Sequence, residues 1–117
     1  KEESLKSMNK DFIIENDKGI FHYKNHRLHK EDGPAIALKS GYDSWYLDGE
    51  LHRIGGPATF DERTIEYWKH GKRHNLDGPA IIWVDGSRPP KYFINYVELS
   101  ETEFRKLKKL KERIKLI

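Results

Sequence analysis

A unit of about 22 residues recurs along the chain, and this repeat constrains the fold more than any other feature of the sequence. The triplet Gly-Pro-Ala occurs three times, at residues 33–35, 56–58 and 78–80. A histidine stands four residues before each glycine, and an aromatic residue stands six residues before each histidine. The histidines are His29, His52 and His74, and the aromatic residues are Tyr23, Tyr46 and Trp68. So many positions recurring in register indicate a repeat architecture.

The sequence pattern of each unit predicts two short strands. The segments Ser44 to Leu47 and Ile65 to Lys69 are rich in aromatic and β-branched residues, and the dipeptides Asp48-Gly49 and His70-Gly71 then suit a tight turn. The segment from the histidine to Gly-Pro predicts a kinked connector, because proline cannot donate a hydrogen bond to a sheet. The second strand begins at the alanine, a small residue that favours close approach of neighbouring units.

An incomplete fourth copy follows, with Tyr92-Phe93 as its aromatic pair and Asn95-Tyr96 as its turn. Terminal units of repeat proteins are commonly atypical, because they must cover the last open face. The sequence therefore predicts a mainly β fold. We expect an antiparallel meander of seven or eight strands over about Gly19 to Leu99, closed by a helix from about Glu101.

Three segments follow from this pattern: an N-terminal arm at 1–16, a β-repeat domain at 17–99 with three full repeats and one partial repeat, and a basic amphipathic helix at 100–117. Within the arm, Ser4 to Lys10 is compatible with a short helix and Phe12 to Glu15 with an edge strand.

The C-terminal helix has a clear start signal. Ser100 and Glu103 form a capping box, with Leu99 and Phe104 placed as a hydrophobic staple. One face carries an apolar stripe at a spacing of three and four, made of Phe104, Leu107, Leu110, Ile114 and Ile117. The favoured interpretation is a helix that caps the last hairpin. A partner helix or coiled coil, and an acidic membrane or nucleic-acid surface, are the alternatives.

The repeat resembles one seen in phage, giant-virus and some bacterial proteins, which is similar to the MORN repeat in length and hairpin arrangement. The resemblance is carried by Trp45 to Ala58, which reads Trp-Tyr-x-Asp-Gly-x-Leu-His-Arg-x-x-Gly-Pro-Ala, and by the closing segment Asn95 to Phe104. It spans roughly Gly19 to Phe104 and implies a β-repeat fold, but it implies little about activity. The second unit departs from the motif His-Arg-x-Asp-Gly-Pro-Ala, with Gly55 in place of the aspartate.

Most of the repeated residues are expected to be structural. We expect the three histidines to hydrogen-bond the backbone of the connector. The glycines and prolines of the triplets are expected to shape that connector; they are Gly33, Gly56, Gly78, Pro34, Pro57 and Pro79. Neither the histidines nor the acidic residues show the spacing of a metal site, so no metal is predicted.

The aromatic pairs are the best candidates for binding. Successive rings on a strand point to opposite faces, so one ring of each pair should be core and the other free to contact a partner. Tyr23, Tyr46, Trp68 and Phe93 are expected to be buried. Trp45, Tyr67 and Tyr92 are expected to be exposed anchors, with Arg53 and Arg63 as basic residues of the same surface.

Several classes of protein are excluded or disfavoured. The chain has no cysteine, so disulfides and thiolate chemistry are excluded. It has no apolar run of the length, about 20 residues, that spans a bilayer. Neither a nucleophile motif nor a phosphate-binding glycine loop is present. We therefore expect no enzyme activity, no cofactor and a cytoplasmic location, which would be the host cytoplasm for a phage or viral protein.

Charge separates the two remaining functions. Residues 105–117 carry seven basic residues and one acidic residue, whereas residues 1–104 carry 15 basic and 18 acidic residues. The basic character therefore belongs to the C-terminal helix. We expect a non-catalytic protein-interaction module, for which the viral resemblance implies a host protein as partner. The alternative is a nucleic-acid-binding protein that uses the basic helix and an aromatic, basic sheet surface. The oligomeric state is left open.

Overall fold

The computed structural model describes residues 11–115, so the short helix expected over Ser4–Lys10 lies outside the described residues. In chain order the elements are β1 (Phe12–Glu15), β2 (Gly19–Lys24), β3 (Arg27–Leu28), β4 (Ile36–Leu38), β5 (Asp43–Ser44), β6 (Tyr46–Leu47), β7 (Glu50–Leu51), β8 (Thr59–Phe60), β9 (Thr64–Glu66), β10 (Trp68–Lys69), β11 (Lys72–Arg73), β12 (Ile81–Trp83), β13 (Tyr92–Ile94), β14 (Val97–Leu99) and α1 (Glu101–Lys115). The mainly β fold with one C-terminal helix is confirmed for this part of the chain.

The main sheet is an antiparallel meander. Its strands lie in the order β1-β2-β4-β5-β8-β9-β12, and β3 pairs with β2 beside this path. The expected edge strand over Phe12–Glu15 is present as β1, and it pairs with β2 along its whole length. The sheet therefore begins inside the segment that the sequence assigned to an N-terminal arm. The molecule is only 20 Å thick along its shortest axis.

Each unit also has a side hairpin that the sequence interpretation missed. After the turn, a strand of two or three residues pairs back onto the end of the preceding strand, giving the hairpins β2-β3, β6-β7, β10-β11 and β13-β14. Both turn residues have positive φ, as in Asp48 (49°) and Gly49 (81°). Such turns match the right-handed twist of two paired strands, so each hairpin folds locally.

The repeated histidines link consecutive hairpins. Nδ1 of each imidazole accepts a hydrogen bond from the backbone N–H of the first turn residue in the next unit. The bonds are Asp48 N to His29 Nδ1 at 2.9 Å, His70 N to His52 Nδ1 at 3.0 Å, and Asn95 N to His74 Nδ1 at 2.8 Å. The expectation of a backbone partner in the connector is thus corrected, because the partner lies in the next unit.

Two backbone hydrogen bonds flank each of these imidazole contacts. The residue after each histidine donates its N–H to the next unit, and the residue before it offers its carbonyl. The bonds are Lys30 N to Tyr46 O, Arg53 N to Trp68 O, Asn75 N to Phe93 O, Gly49 N to Leu28 O, Gly71 N to Leu51 O and Tyr96 N to Arg73 O, all between 2.8 and 3.3 Å. Together they hold the side hairpins in one register.

The core is built from small residues. Ala35, Ala58 and Ala80 are completely buried, as their position after proline predicted. Phe93 is also buried and packs with Ala80 and Ile81. The expectation that the equivalent rings are buried in every unit is wrong for the first three, because Tyr23, Tyr46 and Trp68 are only half-buried. A sheet this thin leaves their hairpins with one open side.

Helix α1 begins where the sequence predicted. Ser100 Oγ accepts a hydrogen bond from the backbone N–H of Glu103, and a Glu103 carboxylate oxygen accepts one from the backbone N–H of Ser100, at 3.1 and 2.9 Å. These two bonds complete the capping box. Ile117 lies outside the described residues. Among the four described residues of the apolar stripe, only Phe104 has its side chain in the core, so the stripe is not buried as expected of a capping helix.

We predict that the acceptor at position 52 matters more than the ring. His52→Leu leaves the part-buried N–H of His70 without its partner, and this should lower the free energy of unfolding by about 1–3 kcal/mol. His52→Asn keeps an acceptor on the same γ carbon and should cost clearly less. Urea unfolding at pH 7.5 measures both values. Equal losses for the two variants would contradict the role of the hydrogen bond.

We also predict that the fold weakens in mild acid. Burial lowers the pKa of His52 from 6.5, and the nearby charges of His70 and Lys69 lower it further, against a smaller opposing effect of Glu50. Burial, then Lys69 and Lys111, lowers the pKa of His74 in the same way.

Because the folded state binds these protons less readily than the unfolded state does, the stabilisation is complete above pH 6.5 and is lost as the pH falls below it. Unfolding free energies at pH 7.5 and 5.0 should therefore differ. The difference should be smaller in a variant with both His52→Asn and His74→Asn, whereas an unchanged difference would exclude these two groups as its source.

Candidate functional site

Aromatic and aliphatic side chains share one face of the main sheet. Phe60 pairs with Ile65, and Ile65 pairs with Ile82, so the three lie side by side across β8, β9 and β12. Trp45 and Tyr67 directly follow β5 and β9, two residues after Asp43 (the partner of Phe60) and Ile65, and the alternation of side chains places them on the same face. We call these five residues the apolar sheet face. All five are half-buried.

Trp45, a predicted anchor, is covered on one side by another predicted site residue. The guanidinium carbon of Arg53 lies 3.9 Å from the centre of the Trp45 ring, which is a cation–π contact. The same guanidinium donates a hydrogen bond to the carbonyl of Pro57 at 3.1 Å. Arg53 therefore holds its own connector against the sheet and leaves the rest of the indole open.

The connector places further residues against Arg53. A Cβ atom at Gly56 would lie 2.8 Å from the Arg53 guanidinium carbon, so a side chain there would displace the guanidinium from its present position. In the third unit Asn75 takes over the bond and donates to the Pro79 carbonyl at 2.9 Å. In the second and third units the proline carbonyl is thus held by the first residue of the connector.

Tyr67, the second predicted anchor, is half-buried and not exposed as expected, because it packs against the core cluster of Ala80, Ile81 and Phe93. It also borders a cavity of about 630 Å³. The cavity lies between the connectors of the second and third units, with Ile54 and Leu76 at their tips and Ile82 in the sheet. Ile54 is 87% exposed, an unusual value for an isoleucine. Tyr67 and Ile82 of the apolar sheet face therefore border the same cavity as the two connector tips.

Tyr92 is not a surface anchor, and this prediction is wrong. Its side chain is only 8% exposed, and its ring centre lies 4.8 Å from that of Phe104. Its hydroxyl lies 3.5 Å from a carboxylate oxygen of Glu101. In the last unit the ring that faces outward elsewhere is covered by helix α1, because the helix occupies the place of a further repeat.

Arg63 lies apart from the apolar sheet face. It is exposed in the turn between β8 and β9, where Asp61 accepts hydrogen bonds from the backbone of Arg63 and Thr64. These bonds lower the pKa of Asp61 below 3.8. Its neighbours across a shallow cavity are Trp83 and Arg88. Arg63 is therefore not joined to Trp45 or Tyr67.

In the nucleic-acid alternative, an aromatic ring with a basic residue such as Arg63 beside it could stack a base, and Trp68 is a ring of this kind. Its cationic neighbour is instead Arg73, whose guanidinium carbon lies 5.0 Å from the ring centre. The indole N–H donates to a Glu66 carboxylate oxygen at 3.3 Å, and the same carboxylate lies 3.5 Å from the Arg73 guanidinium. Within this Trp-Glu-Arg cluster the Glu66 carboxylate offsets the charge of Arg73.

A second apolar cavity, of about 280 Å³, lies beside helix α1. Leu76 lines this cavity as well as the larger one, so the two are neighbours. Phe104 anchors the helix at one end, whereas Leu110 further along is 52% exposed.

Metal-ligating side chains are not clustered in residues 11–115. No group of three or more histidine or acidic side chains in this part of the chain is placed to hold a metal ion. The rings of His52 and His70 lie 4.2 Å apart, but His52 already accepts a backbone hydrogen bond through Nδ1. No helix in the described residues is long and apolar enough to cross a membrane.

Comparison of the chain with protein-family models, with curated proteins and with solved structures found no match.

Five residues of these surfaces were missed at the sequence level: Ile54, Leu76, Phe60, Ile65 and Ile82. A signal existed for the first two. Ile54 and Leu76 occupy the repeat position two residues after the histidine, where the first unit has Glu31. A large aliphatic residue at the tip of a connector, one or two residues before a glycine, has no core to enter. The other three required the register of the sheet.

We predict that Phe104 alone anchors helix α1. Phe104→Ala should lower the free energy of unfolding by about 3–4 kcal/mol, because a buried ring against Tyr92 is lost. Leu110→Ala, a matched change on the exposed stripe, should cost less than about 1 kcal/mol. Urea unfolding followed by circular dichroism measures both. Comparable losses at the two positions would show that the whole stripe is packed.

Proposed function

We propose that this chain is a non-catalytic protein-interaction module whose binding surface is the apolar sheet face together with the tips of the second and third connectors. We further propose that it is a MORN-like repeat protein of phage or viral type that acts on a host protein in the cytoplasm. The viral part of this proposal rests on the repeat motif alone.

One observation carries the proposal. Trp45, Tyr67 and Ile82 lie on one face of a thin sheet, and the 87% exposed Ile54 stands at its border. A contiguous apolar surface with a polar rim is typical of protein–protein contacts. Aromatic residues at the centre of such a surface commonly dominate the binding energy.

A nucleic-acid-binding function is the second candidate, and one observation favours it. Helix α1 exposes Arg105, Lys106, Lys109 and Arg113 to solvent. Lys and Arg side chains that neutralise phosphates release counterions, so such binding weakens steeply with salt. A protein interface centred on aromatic residues weakens much less. Salt dependence therefore separates the two functions.

We predict that the sheet face carries the binding. The bait is the full chain, used to capture its partner from nuclease-treated lysate of the native host, and the captured protein is then titrated against variants. Tyr67→Ala should weaken binding about thirtyfold, as expected for a hot spot of about 2 kcal/mol. Ile82→Ser is the second variant and should act in the same direction.

Two controls give the experiment its meaning. Val97→Ser changes an apolar residue that is 61% exposed in β14, outside the main sheet, and it should leave binding unchanged. Arg105→Glu with Lys109→Glu reverses charge on the helix and should change affinity less than threefold at 150 mM salt. If nuclease abolishes capture, or the helix variant alone abolishes binding, the nucleic-acid function is favoured instead.

A further inference from the structure

A groove runs between helix α1 and the body of the protein. Its floor and walls are Leu76 from the third connector, Ile94 from β13, and the apolar stripe of the helix, with Phe104, Leu107, Leu110 and Ile114. We call this the helix groove. The body supplies one wall and the helix the other, so the apolar stripe looks into the groove.

The groove is open along most of the helix. Beyond the buried Phe104, Leu107 is 46% exposed, Leu110 52% and Ile114 64%. Amphipathic helices normally bury such a stripe against a core. Here a run of three aliphatic residues at helical spacing is left partly in water, which marks an interaction site.

The shape of the groove favours a helix as its occupant. Helix α1 has 15 residues and is therefore about 22 Å long. The side chains at positions 107, 110 and 114 form a ridge that fits into a groove between the side chains of a second helix. An amphipathic helix that binds a bilayer must present its stripe outward and flat. This stripe instead faces Leu76 and Ile94 of its own chain, which disfavours a lipid surface.

The charge of the groove sets the chemistry of the partner. The helix residues 101–115 include seven basic and three acidic side chains, a net charge of +4. Two of the lysines, Lys108 and Lys111, line the groove itself. The Lys108 ammonium lies 3.3 Å from the Asp77 backbone carbonyl, and this contact holds the positive charge in place at the groove wall. A second copy of this helix would bring like charges together, whereas an acidic segment would be attracted.

We propose that the helix groove binds an acidic amphipathic helix of a protein partner, with aliphatic or aromatic residues at i, i+3 or i+4, and i+7 in the groove and Asp or Glu residues toward Lys108 and Lys111. This inference rests on the proposed interaction function but uses a different surface from the apolar sheet face. The helix groove selects a partner by its charge and by the helical spacing of its apolar residues. The flat sheet face does not select for these properties.

The test starts from an unbiased library. Random 14-residue peptides in mRNA display are selected on the full immobilised chain at 150 mM salt, and the enriched pool is sequenced. We expect enrichment of Asp and Glu together with apolar residues at helical spacing. A fluorescein-labelled enriched peptide is then titrated by anisotropy against the chain and its variants.

The variants are matched in charge and position. Leu107→Ser with Leu110→Ser should weaken the peptide at least tenfold, and these exposed positions can change without unfolding the chain. Lys108→Glu with Lys111→Glu should weaken it about tenfold. Lys106→Glu with Lys109→Glu makes the same charge change on residues outside the groove lining and should weaken it less than threefold. Unfolding curves confirm that each variant is folded.

Each contrary result has a distinct meaning. A pool without acidic, helically spaced peptides, or no enrichment at all, overturns the groove proposal. Peptides that respond to Tyr67→Ala but not to the groove variants overturn it and still support the sheet face. The proposal also fails if the Leu107/Leu110 variant turns a dimer into a monomer in sedimentation. It fails equally if the groove variants abolish binding of a 20-nucleotide DNA or of phosphatidylserine vesicles.

Discussion

The hydrogen bond from a turn N–H to the imidazole of the preceding unit is the contact on which the rest of this structure depends. His29, His52 and His74 each make it, at 2.8 to 3.0 Å, and backbone bonds flank every one. Without these bonds, the pairing within the main sheet would leave each side hairpin free to rotate about the bend that joins it to the sheet. The imidazole fixes the hairpin relative to its neighbour, and the connector that follows the histidine is fixed with it. Protonation removes the acceptor, so the register of the hairpins depends on neutral histidines.

This register explains why the two apolar surfaces exist. The connector must cross from the hairpin back to the main sheet, and alanine at its end packs with no exposed area. The connector tip then projects away from the core and carries Ile54 or Leu76 with it. Arg53 and Asn75 hold the tips by bonding the proline carbonyls. The apolar border of the sheet face is therefore a product of the repeat geometry.

The end of the repeat array creates the second surface. The fourth unit has its turn at Asn95 and Tyr96 but lacks the connector and the strand that would follow. The capping box at Ser100 starts a helix instead, and Phe104 covers Tyr92. Only the first turn of the helix is tied to the body in this way. The remaining turns carry their aliphatic stripe past Leu76 and Ile94, which leaves the helix groove open beside the sheet face. Aromatic and aliphatic side chains thus form one surface, with Arg53 over Trp45, and two lysines border the other.

The sequence by itself determined the elements that depend on local chemistry. Turn dipeptides, Gly-Pro-Ala triplets and the Ser100–Glu103 capping box predicted the strand-rich repeats and the helix start, because these features arise within a few residues of the chain. Only the tertiary structure decided which rings are exposed. Tyr92 is equivalent in sequence to Trp45 and Tyr67, yet it is buried by a helix that no other unit has. Likewise, the partner of each histidine lies 18 to 21 residues away, and Phe60, Ile65 and Ile82 become neighbours only through strand register. The burial of a ring depends on which element packs against its unit, and a repeat pattern in the sequence does not specify that element.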